Sequence, residues 1–406
     1  MTPFVDRDAE PEARTAVPRD GTDPVALTQA LIRCQSVTPA DDGALAVVTS
    51  TLERAGFACD RVTFSADGTQ DIDNVYAVIG DTAGPTLCFA GHTDVVPPGP
   101  DSAWSHPPFA AMIADGMLVG RGAVDMKGAI AAFMAAGIDH VADNGGVPSH
   151  GAISLLITGD EEGPSINGTA KLLDWLAVRG HRLDACLVGE PTNPQALGDE
   201  IKIGRRGSLS CRIDVAGRQG HVAYPDAADN PVPKLAAIVD QLSRAHFDDG
   251  APSFSATNLE VCVIGADSTA TNVIPGAAHA ALNVRYNTNW RRPTIEAHVR
   301  GLIETAAREV DAHATLAFSG TGDVFLTEPG PFVARVSDAV RAVTGRSPVL
   351  TTSGGTSDAR FIQAHCPVVE FGLVNATIHA IDERVAVADL WQLKAIYRHI
   401  LDHAAA

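Results

Sequence analysis

Apolar positions recur at helical spacing in VALTQALIRC, after Pro24. A second helix follows the turn at Thr38-Pro39 and ends at Gly56. Beyond it the period shortens. NVYAVIG (74–80), TLCFAGH (86–92), ISLLITG (153–159) and DACLVGE (184–190) are apolar runs without polar alternation. Such strands are covered on both faces, so the pattern predicts a largely parallel sheet with helices packed on it. GAIAAFMAAGIDHVADN, from Gly128, and GTAKLLDWLAVRG (168–180) supply the helices.

From Ser208 the pattern changes. SLSCRIDVAG (208–217) alternates, and a helix PVPKLAAIVDQLSRA follows. Strands at 257–264 and 280–286, helix TIEAHVRGLIETAAREV (294–310) and strand HATLAFS (313–319) complete the stretch. The order β-α-β-β-α-β is that of a ferredoxin-like α+β unit. Near Phe332 the α/β pattern resumes with helix FVARVSDAVRAVTG, strand PVVEFG (367–372) and a terminal helix from Asp389. The predicted fold is therefore an α/β unit with a mixed, mostly parallel sheet, over 24–206 and 321–406, interrupted by an inserted unit over 207–320.

Composition narrows the partners. The 406 residues carry 30 Lys+Arg against 49 Asp+Glu, a net charge of −19. That balance argues against nucleic acid or an anionic membrane as partner and reads as a solvated acidic surface. Residues 1–23 are polar, contain Pro3, Pro11 and Pro18, and lack an apolar core. They read as a disordered leader rather than a signal peptide or a membrane span. Seven dispersed cysteines, none in a C-x-x-C pair, predict buried free thiols in a reducing compartment, hence a cytoplasmic protein.

Four elements offer metal-ligand side chains beside an apolar strand or a Gly-rich turn. They are His92-Thr93-Asp94, Asp125-Met126-Lys127, Asp160-Glu161-Glu162 and Glu190, with His379 in NATIH as a later imidazole. Ligands in open α/β sheets bind at the carboxyl ends of the strands. Each element alone has an ordinary reading: a loop pair, a helix cap at Asp125, a solvated turn, a surface Glu before Pro191. Their recurrence makes a shared site the better account. Imidazole and carboxylate suit zinc, yet one tetrahedral zinc takes four ligands. Two ions sharing a carboxylate would use one His and one acid each and leave a carboxylate over for water activation.

GHTDVVPPG (91–99), GRGAVDMKG (120–128), TGDEEG (158–163), VGEPT (188–192) and NATIH (375–379) resemble the dinuclear zinc aminoacylase/carboxypeptidase family. The resemblance implies a zinc-peptidase-like catalytic domain holding two Zn²⁺, with Co²⁺ or Mn²⁺ as possible substitutes. It implies that His92 and Glu190 bind one ion, Glu162 and His379 the other, and Asp125 bridges. Asp94 would hydrogen-bond the His92 ring, Glu161 would be the general base, and a cis peptide would follow Asp125. The inserted unit would serve as dimerisation and lid domain, with His221 reaching the partner subunit's site as the oxyanion donor.

KIGRRGSL (202–209), GRQGHVAYP (217–225), TNVIP (271–275), LNVRY (282–286) and SGGTSDARFI (353–362) are similar to one branch of that family. That branch hydrolyses N-succinyl-LL-2,6-diaminopimelate in lysine and diaminopimelate biosynthesis. The alternative is an acetylornithine deacetylase or a related N-acyl-amino-acid deacylase with the same di-zinc site. The likeness implies substrate binding by Arg205, Ser208, Tyr224, Asn272, Arg285, Gly355, Thr356 and Asn375. No G-x-G-x-x-G opens a helix after a strand and no G-x-S-x-G elbow appears, which weighs against a dinucleotide oxidoreductase and a serine hydrolase.

Overall fold

In the computed structural model, residues 22–404 are described apart from 269, so the leader expected over 1–23 lies almost wholly outside the described residues. The chain separates into two compact units. One is the chain up to Glu200 with Gly330–Pro348 and the segment from His365 onward; the other is Ile201–Pro329 with Val349–Ala364. The second unit thus takes in 201–206, 321–329 and 349–364, which the sequence pattern groups with the outer unit.

Six strands of the first unit lie in the order Ala58–Phe64, Ile72–Gly80, Ala152–Thr158, Thr86–His92, Ala185–Val188, Val368–Glu370. The first two pairings are antiparallel and the remaining three parallel. Thr86–His92 and Ala152–Thr158 are buried at every position. That is what their unbroken apolar sequence requires, because helices cover both faces.

The helix Lys127–Asp143 is buried almost all round, since its small residues let Val387–Asp402 and Pro24–Arg33 pack closely. Phe89 stacks on Phe133 at 4.4 Å, and Tyr397 meets both edge-on at 5.7 and 5.6 Å. The buried Tyr397 hydroxyl is satisfied by donating to the Phe371 carbonyl at 2.7 Å.

The second unit carries an antiparallel sheet in the order Asn258–Ala266, Ala277–Tyr286, Gly207–Ala216, His313–Gly322. In chain order that is 2-3-1-4, the ferredoxin-like arrangement. Ala277–Tyr286 alternates buried with half-buried positions. Its inner face meets Leu235, Ile238 and Leu242 of helix Pro231–Ser243 and Ile295, Val299 and Ile303 of helix Arg292–Glu309. The edge strand Asn258–Ala266 leaves Val263 and Ile264 exposed.

Strand Ala58–Phe64 has no counterpart in the pattern, because ACDRVTF on a sheet edge has neither apolar continuity nor alternation. The three-residue strands Met112–Ala114, Met117–Val119 and Arg384–Ala386 are too short to show a period. All seven cysteines are free; Cys88, Cys186, Cys211 and Cys366 are buried as expected, but Cys34 and Cys59 are only half-buried and Cys262 is exposed. Among the described residues no helix is long and apolar enough to cross a membrane.

Candidate metal centre and active site

Each expected ligand emerges from the carboxyl end of a strand or from the loop beyond it. His92 ends Thr86–His92, Glu190 lies two residues past Ala185–Val188, and Glu161 and Glu162 follow Ala152–Thr158. Asp125 sits just before helix Lys127–Asp143, and the Asp125–Met126 peptide is cis, as the resemblance implies. Asp125 is no helix cap, since the N-cap of that helix, Met126, makes no side-chain cap bond.

Room for this loop is written in two glycines. A Cβ on Gly91 would stand 2.6 Å from the Met126 methyl, and one on Gly189 would stand 2.8 Å from it. With hydrogen at both positions, the buried Met126 side chain tucks against two adjacent strand ends and Asp125 faces the site.

Asp125 then bridges. Its Oδ1 lies 3.1 Å from His92 Nε2 and its Oδ2 lies 3.1 Å from His379 Nε2. His379 Nε2 is also 2.8 Å from Glu162 Oε1, and His92 Nε2 is 3.7 Å from Glu190 Oε1. Ligand atoms of His92, Asp125 and Glu162 lie within 4.8 Å of one another, as do those of His92, Glu161 and Glu190. Two imidazoles and three carboxylates, one of them shared, are a donor set that fits a pair of divalent ions such as zinc.

Asp94 differs from its expected contact. The His92 ring meets the Asp94 backbone carbonyl, Nδ1 to O at 2.9 Å, while the carboxylate stands 3.6 Å off. The carboxylate instead accepts the backbone N–H groups of Glu161 and Glu162 at 3.2 and 3.0 Å. Asp94 therefore holds the two glutamates in place as well as touching the imidazole. On the far side of their loop, the buried Asp160 carboxylate accepts from Ile166 and Asn167 N–H at 2.9 and 3.0 Å.

The charges are strongly coupled. Burial opposes a charged His92, but the hydrogen bond and charge of Asp125, with Asp94 and Glu161, raise its pKa well above the ordinary value. Hydrogen bonds that the ring donates to Asp125 and Glu162 lift His379 to about 10. Burial works against the Asp125 carboxylate, yet both imidazoles outweigh it and hold Asp125 below the usual range. Glu190 is pushed well up by burial and by the charges of Asp125 and Glu161. Burial also moves Asp94 up to about 6. Shifts of this size in opposite directions, produced by burial together with specific charge partners, mark a functional site.

The other expected residues fall into two groups. Arg205, Ser208 and Arg285 gather at one end of the second unit's central strands. There Ser208 pairs with Arg285 in register, and Arg205 donates to the Ser353 carbonyl at 3.1 Å. Burial and the neighbouring Arg206 charge lower the pKa of Arg285. Gly355 and Thr356 belong to the same unit, two and three residues past Ser353.

His221, Tyr224 and Asn272 form the second group, beyond the other end of the ten-residue strand Gly207–Ala216. His221 pairs with Val273, its ring lies 5.9 Å from Tyr224, and Val222 N–H donates to the Asn272 carbonyl. His221, Tyr224 and Asn272 are exposed. At about 3.3 Å per residue the two groups stand roughly 30 Å apart. Asn375 belongs to the first unit, where its backbone N–H donates to Asn193 at 2.8 Å, four residues before His379.

Sequence reasoning missed two residues here, Arg121 and Glu383, a buried ion pair of 2.7 Å under the Asp125 loop. Arg121 lies inside GRGAVDMKG and Glu383 four residues past His379, but nothing in the pattern marks either as buried.

The sequence profile of peptidase family M20/M25/M40 matches residues 88–403, a span that contains all five donors and Glu161. A succinyl-diaminopimelate desuccinylase of Methylorubrum extorquens is 55% identical over 379 residues, covering 93% of this chain and 98% of its own. The M20 family metallo-carboxypeptidase Sso-CP2 from Sulfolobus solfataricus has the same fold. It superposes with a TM-score of 0.76 at 19% identity, over 93% of this chain and 98% of its own. YXEP from Bacillus subtilis, described as a dinuclear metal binding peptidase, gives a TM-score of 0.68 at 15% identity, over 94% and 97%. Strand ends, donor set and sequence profile converge on one conclusion: the chain belongs to peptidase family M20/M25/M40.

Proposed function

We propose that this metal-dependent hydrolase cleaves N-succinyl-LL-2,6-diaminopimelate to succinate and LL-2,6-diaminopimelate, a cytoplasmic step of lysine and diaminopimelate biosynthesis. The observation that carries the chemistry is the Asp125 bridge between His92 and His379, with Glu161 close by. The substrate rests on relatives of that name at 53–55% identity over some 94% of the chain.

His92 and Glu190 would hold one zinc, Glu162 and His379 the second, and Asp125 both. Bound, the ions supply Lewis acidity to the amide carbonyl and bring the pKa of water towards roughly 7. Glu161 takes the proton of the attacking water and returns it to the departing amine. Asp94 keeps Glu161 aimed through its backbone N–H. Arg205 and Arg285 are assigned to the carboxylates of the substrate, for which a guanidinium offers a two-pronged fork. Ser208, Tyr224, Asn272, Asn375, Gly355 and Thr356 supply neutral hydrogen bonds.

His221 is assigned to the oxyanion in the partner subunit's site. Its placement about 30 Å from Arg205 and Arg285 along the strands supports service to a different substrate molecule. The edge strand Asn258–Ala266, with Val263 and Ile264 exposed, is a surface on which a second copy would pair.

Metal-stripped protein, with and without Zn²⁺, is to be assayed in parallel on N-succinyl-LL-diaminopimelate and N-acetylornithine. Zinc-dependent turnover of the succinyl substrate alone is expected. Turnover of the acetyl substrate alone would replace the specificity assignment with that of a deacetylase.

A further inference from the structure

The two halves of the centre are held by different means. His92 ends a fully buried strand and Glu190 lies two residues beyond a mostly buried neighbour in the same sheet, so the sheet fixes both. His379 has no such support. Its side chain is 46% exposed and its backbone is left-handed, with φ at 58°. Packing does not hold that loop, and a non-glycine residue does not prefer that conformation.

The loop is held by hydrogen bonds: Asp382 accepts from Ser105 N–H and Oγ at 2.8 and 3.0 Å, Thr377 Oγ1 bonds Arg384, and the contacts that reach His379 itself come from Arg121 with Glu383. Both are buried, and neither is a metal ligand. One Glu383 oxygen accepts from Arg121 Nη1 at 2.7 Å and from Gly122 N–H at 3.1 Å. The other accepts from Val124 N–H at 2.8 Å and from the N–H of Asp125 itself at 3.2 Å. Arg121 donates back to the carbonyls of His379 and Ala380, each at 3.3 Å, and reaches the Pro97 carbonyl at 3.5 Å. One ion pair thus ties the loop of the bridging acid to the loop of the second imidazole.

Burying two charges carries a desolvation penalty, and apolar packing of the same volume often serves stability as well or better. The use made of it here is geometric. A guanidinium can serve several acceptors in one plane, which the point charge of a lysine cannot.

Resting on the two-ion reading above, we propose that Arg121 and Glu383 are a positioning pair that sets the affinity for the ion held by Glu162 and His379. They do so without touching ion or substrate. Outer partners of this kind change metal affinity by about 10–100-fold when removed.

The test uses the full chain as wild type, Glu383→Gln, Arg121→Lys and, as reference, Glu162→Ala. Zn²⁺ affinities are read by chelator competition, Co²⁺ absorption by titration, and folding by circular dichroism. The expected result is two constants in wild type, of which the one lost in Glu162→Ala weakens by about 10–100-fold in both pair variants while the other is retained. The second equivalent of Co²⁺ should add no more absorption than it does in Glu162→Ala.

Unchanged constants in a folded variant, or equal weakening of both, would overturn the proposal. If Glu383→Gln does not fold, Arg121→Lys, which keeps the charge, decides by the same split. Fewer than two ions in wild type would instead sink the two-ion reading itself.

Discussion

Asp125 and Glu161 are both acids of one centre, and their surroundings give them different work. Asp125 spends both oxygens on imidazoles, whereas Glu161 lies beside the His92–Glu190 half with its backbone fixed by Asp94. Glu161→Ala is expected to keep both metals and lose turnover by about 10²–10⁴-fold or more. Glu162→Ala should lower metal content by one ion. Metal analysis with kcat separates the two, and near-normal kcat in Glu161→Ala would remove it as base. The His379 pKa adds a pH prediction. In the metal-free protein it stands at about 10 against an ordinary 6.5. The imidazolium therefore contributes stability in full below about pH 6.5 and loses it as pH climbs through about 10. Metal must displace that proton, so zinc affinity runs the opposite way and rises across the same window. Thermal melts of metal-free wild type and His379→Gln should differ most below about pH 6.5 and converge above about pH 10. A constant difference would contradict the assignment.

At the scale of elements, the centre depends on strand ends that let a neighbouring loop come close. Gly189→Ala would place a methyl 2.5 Å from the Phe89 ring and 2.8 Å from the Met126 methyl. Overpacking of this kind costs about 1–3 kcal/mol, and here it also shifts the residue after Asp125. Lower Tm together with weaker zinc binding is expected; lower Tm with unchanged zinc affinity would separate the packing from the site. These elements are largely legible in the sequence. TLCFAGH and ISLLITG read as covered strands because no polar residue interrupts them, and their ends point to His92, Glu161 and Glu162. ACDRVTF and the three-residue strands are not legible, since sheet pairing rather than a local period makes them strands. The Asp94 carboxylate is misread for a related reason. H-x-D spacing shows proximity to the ring, but which backbone N–H groups converge on the carboxylate depends on a loop 67 residues away. Arg121 and Glu383 lie 262 positions apart, and no sequence pattern announces such a pair.

For the whole molecule, the claim that distinguishes a dimer of interdependent sites from two independent ones is the role of His221. Co-expressed Glu161→Ala and His221→Ala chains are each expected to be inactive alone. In a mixed dimer one site has an intact Glu161 and receives the intact His221 of the other chain, so activity should return. No recovery, with mixed dimers present, would place His221 in its own chain's site or outside catalysis. A charge at Val263 or Ile264 on the exposed edge strand should yield metal-loaded monomers with little activity, seen by sedimentation and assay. The division into two units is legible from the change to strict alternation at SLSCRIDVAG; its limits are not, because 349–364 joins the second unit through space rather than sequence. The most direct test of the account is reconstitution of metal-stripped protein with Zn²⁺ while hydrolysis of N-succinyl-LL-diaminopimelate is followed. Activity that appears on metal addition and reaches its full value at two ions per chain is the predicted result. Full activity without metal, or none with two ions bound, would contradict it.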